Sequence, residues 1–396
     1  MQLDQLDLRD KVVLVRVDFN VPLKEGKVTD RNRIIAAVPT IKKLQSAGAK
    51  TVLMSHLGRP KGVHKAEYSL SQIVQAVSEE LGQEIAFSEE CVGEKPAAAI
   101  SKMKVAEVLL LENLRFHPEE EKGEVDFAKQ LAELADVYVN DAFGTAHRAH
   151  ASTAIIAQFF RPDQRAFGYL IANELEAVEQ LLHSPKRPFT AIMGGAKISD
   201  KILLIENILD KVDRLIIGGG MSYTFFKAKG GQVGKSLVEE DKLQLALDLL
   251  QKAEEKGVSI FLPQDSVVAD DFSNDAKIAQ ADNMQIEEGW MGLDIGPKAV
   301  NDFAEAIESS NTILWNGPMG VFEMSNFARG TRSVAEAIVK ATKNGAFSLI
   351  GGGDSAAAVR TFGYDNEVSY ISTGGGALLE YLEGKDLPGI KAMLSD

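Results

Sequence analysis

The order of apolar and polar residues divides the chain into short apolar runs and longer amphipathic stretches. The short runs, rich in β-branched residues, predict strands at residues 12–17, 51–55, 107–111, 136–140, 189–193, 214–217, 259–262, 311–315, 346–350 and 368–371. The longer stretches predict helices at residues 31–47, 69–81, 124–135, 200–209, 241–256 and 327–342. Continuous apolar strands that alternate with helices are typical of parallel sheets covered on both faces. The pattern therefore predicts an α/β protein.

The predicted strands fall into two series that meet near residues 161–188. Residues 172–182 form an amphipathic helical pattern, and a break with two prolines comes after it at 183–188. We expect two doubly wound (Rossmann-like) parallel-sheet domains with a helical hinge over residues 171–183. The pattern alone leaves open that this segment is an ordinary peripheral helix.

Composition and charge narrow the classes of function. The chain has 396 residues, and 43 basic against 57 acidic side chains give a net charge of −14. An acidic chain argues against nucleic acid or an anionic membrane as a partner. The single cysteine, Cys91, excludes an intramolecular disulfide and fits a structural thiol in a reducing compartment. We see no signal peptide and no apolar run of about 18–20 residues, so we expect a cytoplasmic protein.

Basic side chains come after the predicted strands of the first half. The carboxyl ends of parallel strands meet at one edge of the sheet, where ligands bind. The arginine fork matches the geometry of carboxylate and phosphate groups. The sequence therefore predicts a site for a small, highly anionic ligand. The residues that would form it are Arg33, Arg59, Arg115 and Arg148, together with His56, His147 and His150.

Glycine-rich segments come after the predicted strands of the second half, at residues 194–197, 218–220, 316–320, 351–355 and 374–376. Glycine lets backbone N–H groups approach a phosphate, and a helix that begins there favours the phosphate charge. Five such loops predict a nucleotide site, with Lys197 beside it and Asp354 placed to meet a metal ion. The alternative is that these glycines only permit tight turns.

Three other motifs carry less weight. Residues 230–236 resemble a phosphate-binding P-loop, but Lys229 stands where its first glycine belongs. Residues 218–223 do not complete a dinucleotide fingerprint, because Tyr223 replaces the last glycine. His147 and His150 lack a third metal ligand at a convincing spacing.

An anion site in one half and a nucleotide site in the other favour phosphoryl transfer between a nucleotide and a small anionic acid. Such transfer depends on in-line positioning and on neutralising charge. No residue stands out as a general base, as expected when the acceptor oxygen is already an anion.

Several segments resemble the signatures of the phosphoglycerate kinase family. In the first half these are residues 16–22 (RVDFNVP), 55–60 (SHLGRP), 111–116 (LENLRF), 140–144 (NDAFG) and 146–150 (AHRAH). In the second half they are residues 194–201 (GGAKISDK), 294–297 (DIGP), 315–323 (WNGPMGVFE) and 351–355 (GGGDS). The resemblance runs in order from about residue 11 to residue 386.

The resemblance implies reversible phosphoryl transfer from 1,3-bisphosphoglycerate to ADP with Mg²⁺, in a monomer whose last helix returns to the first domain. That gives a phosphoglycerate-binding domain over residues 1–170 plus 374–396 and a nucleotide-binding domain over residues 184–373. The implied phosphoglycerate ligands are Asp18, Phe19, Asn20, Arg33, His56, Leu57, Gly58, Arg59, Arg115 and Arg148. The implied nucleotide ligands are Lys197, Lys201, Gly292, Glu323, Gly351, Gly352, Gly353, Asp354 and Ser355. The implied catalytic residues are Arg33, Lys197, Gly352 and Gly375, and the implied metal ligand is Asp354.

Two departures from the family pattern are mild. Ser355 stands where threonine is frequent, and Ser222 and Tyr223 stand where smaller or amide residues are common, which affects the expected adenine pocket.

Two other classes of protein stay open at this point. A dinucleotide dehydrogenase would need the complete glycine fingerprint, and a non-catalytic nucleotide-binding protein would lack the arginine cluster.

Overall fold

Two six-stranded sheets, each made only of parallel strands, form the framework of the chain. We describe them from a computed structural model that covers residues 3–395. The chain divides into two units. The first comprises the residues up to Glu176 together with those from Asp386 onward, and the second comprises Ala177–Lys385. The predicted α/β class with two doubly wound sheets is confirmed.

The first unit contains eight strands. In chain order they are β1 (Val12–Val17), β2 (Leu23–Lys24), β3 (Lys27–Val28), β4 (Lys50–Met54), β5 (Ala86–Ser88), β6 (Val108–Leu111), β7 (Val137–Asp141) and β8 (Arg165–Phe167). Its helices are α1 (Asn32–Ser46), α2 (Val74–Leu81), α3 (Glu94–Lys102), α4 (Pro118–Lys122) and α5 (Val125–Ala132), and α6 (Tyr169–His183) begins in it. The parallel sheet has the order β5-β6-β4-β1-β7-β8, so β1 lies in its interior.

Both faces of this sheet are buried. Val13 and Val15 of β1 pack on one side with Ile41 of α1, while Leu14 packs on the other side with Leu131 of α5. Because successive side chains of a strand point to opposite faces, an uninterrupted apolar strand needs a cover on each side. The helices that connect the strands supply both covers.

The second unit has the same plan with one addition. Its strands are β9 (Phe189–Met193), β10 (Arg214–Ile217), β11 (Gln232–Val233), β12 (Ser259–Phe261), β13 (Asp265–Ala269), β14 (Ile278–Asp282), β15 (Gln285–Ile286), β16 (Met291–Ile295), β17 (Thr312–Asn316), β18 (Phe347–Gly351) and β19 (Tyr370–Ile371). Its helices are α7 (Ile202–Ile208), α8 (Ser222–Ala228), α9 (Leu243–Glu255), α10 (Pro297–Glu308), α11 (Arg329–Lys343), α12 (Gly353–Thr361) and α13 (Gly376–Leu382). The parallel sheet has the order β12-β10-β9-β17-β18-β19.

The addition is a small antiparallel sheet in the order β14-β13-β16, which the sequence did not predict. Strand β14 alternates between exposed and half-buried residues and carries no apolar run. The described part of the first unit holds four further strands that were missed, β2 and β3 of two residues each and β5 and β8 of three residues each. Strands this short give too few positions for a hydrophobic pattern to show.

The end of the chain belongs to the first unit, but over a shorter range than the resemblance implied. Residues 374–385 lie in the second unit, where Leu378 and Leu382 of α13 are fully buried. The return begins at Asp386 and leads into α14 (Pro388–Leu394). There the backbone N–H of Gly389 donates to the Ala146 carbonyl at 2.8 Å, which joins α14 to the segment after β7.

Asp141, at the end of β7, anchors the first turn of α6. One carboxylate oxygen accepts hydrogen bonds from the backbone N–H groups of Leu170 at 2.9 Å and Ile171 at 3.4 Å. The other oxygen is buried and has no hydrogen-bond partner within residues 3–395. Burial raises the pKa of Asp141 to about 7, although the neighbouring donors oppose the shift.

Replacing Asp141 by asparagine should therefore change how stability depends on pH. Between pH 4 and 7 the folded chain holds a proton on Asp141 that the unfolded chain has lost, so this group makes stability fall as the pH rises. Asparagine keeps the accepting oxygen and has no charge to bury. Urea unfolding should show the variant gaining about 1.4 kcal/mol per pH unit on the wild type between pH 5 and 7. Asp126→Asn, an exposed change, is the control, and parallel stability profiles for Asp141→Asn and wild type would contradict the account.

Candidate active site

Four neighbouring strands of the first unit, β6, β4, β1 and β7, end at one edge of the sheet. Asp18 lies directly after β1, and its carboxylate accepts a hydrogen bond from the Arg33 guanidinium at 2.7 Å. Asn20 lies two residues further on, and its side-chain oxygen accepts from the Gly58 backbone N–H at 2.8 Å. The edge therefore joins the loop after β1, the start of α1 and the loop after β4.

The loop of residues 56–60 is held from two sides. The Asn113 amide donates to the Leu57 carbonyl at 2.7 Å, and Arg115 donates to the Gly58 carbonyl at 3.0 Å. The Phe19 N–H donates to the hydroxyl of Ser55 at 2.8 Å. These contacts bring together the segments that carry most of the predicted anion ligands.

Two arginines at this edge have no partner among the described residues. Arg59 and Arg148 are exposed, and their side chains make no hydrogen bond or ion pair within residues 3–395. Arg115, in contrast, is half-buried and lies 3.4 Å from a carboxylate oxygen of Glu121, and burial lowers the pKa of its guanidinium. Unpaired guanidinium groups beside a structured loop are suited to bind an anion.

Two histidines of this edge, His56 and His150, have lowered pKa values. Burial, together with the positive charges of Arg16, Arg115 and Arg33, holds the pKa of His56 well below its usual range. Burial and the same kind of neighbours lower the pKa of His150 to about 4. Within residues 3–395 no group of three or more histidine, cysteine, aspartate or glutamate side chains is arranged to hold a metal ion.

The second unit contains a cavity of about 490 Å³ at the carboxyl edge of its sheet. Its wall combines backbone from the glycine-rich loops with a few apolar and acidic side chains. The lining residues include Gly195, Gly219, Gly220, Tyr223, Leu237, Phe272, Gly292, Met319, Glu323 and Asp354. Of the predicted nucleotide ligands, Gly292, Glu323 and Asp354 line this cavity. The predicted residues Lys197, Lys201, Gly351, Gly352, Gly353, Ser355 and Gly375 do not line it.

Some of the glycines serve packing rather than ligand binding. A methyl group on Gly194 would lie 2.2 Å from the Pro318 carbonyl oxygen, and one on Gly219 would lie 2.6 Å from the Gly195 nitrogen. Such distances exclude a side chain at either position. Gly353 differs, since a methyl group there would meet open space, whereas one on Gly352, which has a positive φ of 86°, would lie 2.9 Å from the Asn316 amide nitrogen. The first residue of α12 therefore presents free backbone.

Gly292 makes room for the bulky tyrosine of the expected adenine pocket. A methyl group on Gly292 would lie 1.8 Å from the Tyr223 hydroxyl oxygen. That hydroxyl is 2.7 Å from the Ser266 hydroxyl, so Tyr223 is held in place behind Gly292. The departure from the family pattern at position 223 is thus accommodated by a glycine on β16.

The two lysines of the second site differ in environment. Lys201 is half-buried, and its ammonium group donates to the side-chain oxygen of Asn316. Burial lowers the pKa of Lys201. Lys197 is exposed and has no partner within residues 3–395. Asn316 is fully buried, and its amide nitrogen has no hydrogen-bond partner in the described part of the chain, which leaves a donor beside Gly352.

Asp354 lies in the first turn of α12 and fits a magnesium ligand. Its carboxylate is exposed, has no partner among the described residues and borders the cavity. Mg²⁺ commonly binds through substrate phosphates and only one or two carboxylates. Ser355, one residue on, is buried, and its hydroxyl accepts from the Gly317 N–H at 2.6 Å. The serine thus has a structural contact, while Asp354 is free.

Sequence reasoning missed the buried polar groups behind the first site. Arg16, Glu120 and Ser152 are fully buried, and Ser152 is bonded to both of the others. Arg16 lies in an apolar strand, where a charged residue is a signal in itself because unpaired charges are rarely buried. Glu120 and Ser152 gave no such signal.

A basic sheet edge in one unit and a glycine-lined cavity in the other are features of a phosphotransferase that acts on a small anion. Comparison with known proteins agrees. A family profile described as phosphoglycerate kinase matches residues 3–385. Phosphoglycerate kinases from Porphyromonas gingivalis and Clostridium botulinum are each 53% identical to the chain, over 99% of it and over 100% and 98% of their own lengths.

Solved structures give the same result. The phosphoglycerate kinase of Coxiella burnetii superposes with a TM-score of 0.90 at 41% identity. That of Pyrococcus horikoshii OT3 superposes with a TM-score of 0.84 at 32% identity. Each match covers 99% of this chain and 98% of the other. The chain belongs to the phosphoglycerate kinase family, which is neither a dehydrogenase family nor one of non-catalytic binders.

As a member of this family, the chain is an ATP/ADP-dependent phosphotransferase with a carboxyl group as acceptor, an enzyme of glycolysis. No helix within residues 3–395 is both long enough and apolar enough to cross a bilayer.

Proposed function

We propose that the two units divide the family's reaction, the reversible transfer of a phosphoryl group from 1,3-bisphosphoglycerate to ADP. The first unit holds the phosphoglycerate and the second holds the nucleotide. The observation that carries this division is the contrast between the two sheet edges. Arg59 and Arg148 are unpaired beside a basic loop, whereas Asp354 and Glu323 border a glycine-lined cavity.

On the phosphoglycerate side, the free guanidinium groups of Arg59 and Arg148 bind the anionic groups of the substrate. Arg33 contacts them from the start of α1, and Asp18 fixes its orientation through the 2.7 Å ion pair. Arg115 and the neutral ring of His56 complete the binding surface. Phe19, Asn20, Leu57 and Gly58 contribute through the two loops that the Asn20–Gly58 hydrogen bond joins.

On the nucleotide side, the base lies in the cavity against Gly292, with Glu323 at its border. The phosphates lie along residues 351–355, where α12 begins and the backbone is open at Gly353. Lys201 approaches them from its contact with Asn316. Lys197, exposed and unpaired, meets the phosphoryl group that moves, and Gly352 and Gly375 supply backbone close to it.

Asp354 is the residue that would hold Mg²⁺ together with the nucleotide phosphates. When bound, this ion neutralises charge on the phosphates. The chain's own contribution to catalysis is positioning and charge, since the acceptor is an oxygen that already carries negative charge. Asp18 is engaged by Arg33, so it is not poised as a general base, and the reaction needs none.

Transfer also requires the two substrates to meet. Reacting atoms must approach to about 3–3.5 Å, and water must be kept away from the phosphoryl group. We propose that the units close about α6, the helix that runs from the first unit into the second. We further propose that the enzyme works as a monomer in the cytoplasm.

Lys197→Ala should lower kcat by about 10²–10³ while leaving ADP affinity within a small factor of wild type. The reason is that Lys197 acts on charge that develops during transfer. Steady-state kinetics and calorimetric titration with ADP measure the two effects. Lys227→Ala, on the exposed side of α8, is the control. A kcat close to wild type in purified Lys197→Ala would refute this role.

Arg148→Ala and Arg59→Ala should each weaken 3-phosphoglycerate binding about tenfold or more and leave ATP binding unchanged, because each removes a charge-assisted contact from the first unit only. Titration with each substrate separately distinguishes the two ligands. Arg161→Ala, another exposed arginine of the first unit, should bind both like wild type. Equal losses for both substrates would contradict the proposed division.

Small-angle scattering tests closure. The radius of gyration should fall when 3-phosphoglycerate and a nonhydrolysable ATP analogue are both bound, and should fall less with either alone. Titrations under the same conditions must show both sites occupied. An unchanged radius with both ligands bound would contradict the hinge.

A further inference from the structure

A chain of buried polar contacts lies behind the basic edge of the first unit and ends at His56. Arg16 of β1 is fully buried, and its Nε donates to the hydroxyl of Ser152 at 2.9 Å. Its Nη2 lies 3.2 Å from Nδ1 of His56. Its Nη1 donates to the backbone carbonyl of Val17. Every arm of the guanidinium is thus engaged.

Glu120 of α4 forms the other end of the chain. Its two carboxylate oxygens both accept from Ser152, one from the hydroxyl at 2.6 Å and the other from the backbone N–H at 2.9 Å. Burial raises the pKa of Glu120, while the charge of Arg16 and the Ser152 donors oppose the rise. Ser152 is itself tied to β7, because the Tyr138 hydroxyl donates to its carbonyl at 2.8 Å.

The contact between Arg16 and His56 determines where the imidazole proton lies. A guanidinium has only donors, so Nδ1 of His56 must be the acceptor. The ring is neutral, because its pKa is held well below the usual range. A neutral ring with a bare Nδ1 carries its proton on Nε2. Within the described chain Nε2 of His56 has no hydrogen-bond partner. On the other ring nitrogen, Nδ1, an Asp18 carboxylate oxygen lies 3.9 Å away, which is too far for a hydrogen bond.

We propose that Glu120 and Ser152 are positioning residues that fix the Arg16 guanidinium and thereby hold His56 as the neutral tautomer with its proton on Nε2. The Ser152 hydroxyl donates to Glu120, so a lone pair of the hydroxyl oxygen faces Nε of Arg16. This contact fixes the Arg16 guanidinium so that its Nη2 points at the His56 ring. His56 then offers an uncharged N–H donor to an oxygen of the phosphoglycerate. This last step rests on the placement of His56 in the phosphoglycerate site under the proposed function.

The tautomer can be measured directly. The chain has six histidines, so long-range ¹H–¹⁵N correlation spectra of histidine-labelled enzyme resolve each ring, and a His56→Asn variant assigns its signals. Wild type should show an unprotonated Nδ1 and a protonated Nε2 for His56 at pH 8 and still at about pH 6.5, where an ordinary histidine is half protonated. A cationic ring, or a proton on Nδ1, in wild type would overturn the proposal without the need for a further variant.

Ser152→Ala removes the hydroxyl between Glu120 and Arg16. Glu120→Gln replaces one of the two accepting oxygens by an amide NH₂ group, which would face the N–H or the hydroxyl of Ser152 as a donor. In each variant the His56 ring should show both tautomers. The KM for 3-phosphoglycerate should rise about tenfold, the effect of one charge-assisted hydrogen bond. The KM for ATP and the kcat should stay within about twofold of wild type, which a general loss of folding would not allow.

Exposed residues of the same unit supply matched controls, Ser101→Ala and Glu124→Gln. Both should keep the wild-type tautomer and KM. An unchanged His56 spectrum in Ser152→Ala and Glu120→Gln would overturn the positioning role. A His56→Ala variant with a wild-type KM for 3-phosphoglycerate would instead overturn the role of His56 toward the substrate, so the two failures are distinguishable.

Discussion

The parallel direction of the strands is the constraint on which both candidate sites depend. Because all strands of a sheet end at the same edge, residues far apart in the chain meet there. Asp18, His56 and Arg115 come after three different strands, yet they belong to one set of loops joined by direct hydrogen bonds. The second sheet repeats the arrangement with glycine-rich loops, so one chain carries two sites of different chemistry.

Charge is distributed differently at the two edges. The first edge concentrates guanidinium groups, and burial lowers the pKa of His56 and of His150 there, so that these two rings add no further positive charge at neutral pH. Behind it, Glu120 offsets the buried Arg16 through Ser152. The second edge relies on backbone donors and exposes Lys197 and Asp354 without partners among the described residues. At both edges, charged groups are left for a bound substrate to pair with, as expected where electrostatic interactions dominate binding.

Much of the fold and of the two candidate sites could be predicted from the sequence. Strands β1, β9 and β17 are mostly apolar, and the loop after each of them carries residues of a site. Strands β5 and β8 are too short to give a pattern, and β14 lacks an apolar run. The glycines were harder to interpret, because close packing at Gly194 and an open backbone at Gly353 look alike in sequence. Ser152 and Glu120 matter only through their contacts, which no local pattern reveals.

The central claim is that each unit binds one substrate. Hydrogen exchange measured by mass spectrometry on the intact enzyme, with 3-phosphoglycerate alone and then with MgADP alone, tests it most directly. The account predicts that 3-phosphoglycerate slows exchange in peptides covering residues 18–20, 56–59 and 113–116, and that MgADP slows it in residues 194–201 and 351–355. Protection of residues 351–355 by 3-phosphoglycerate alone, with no change in residues 56–59, would contradict it.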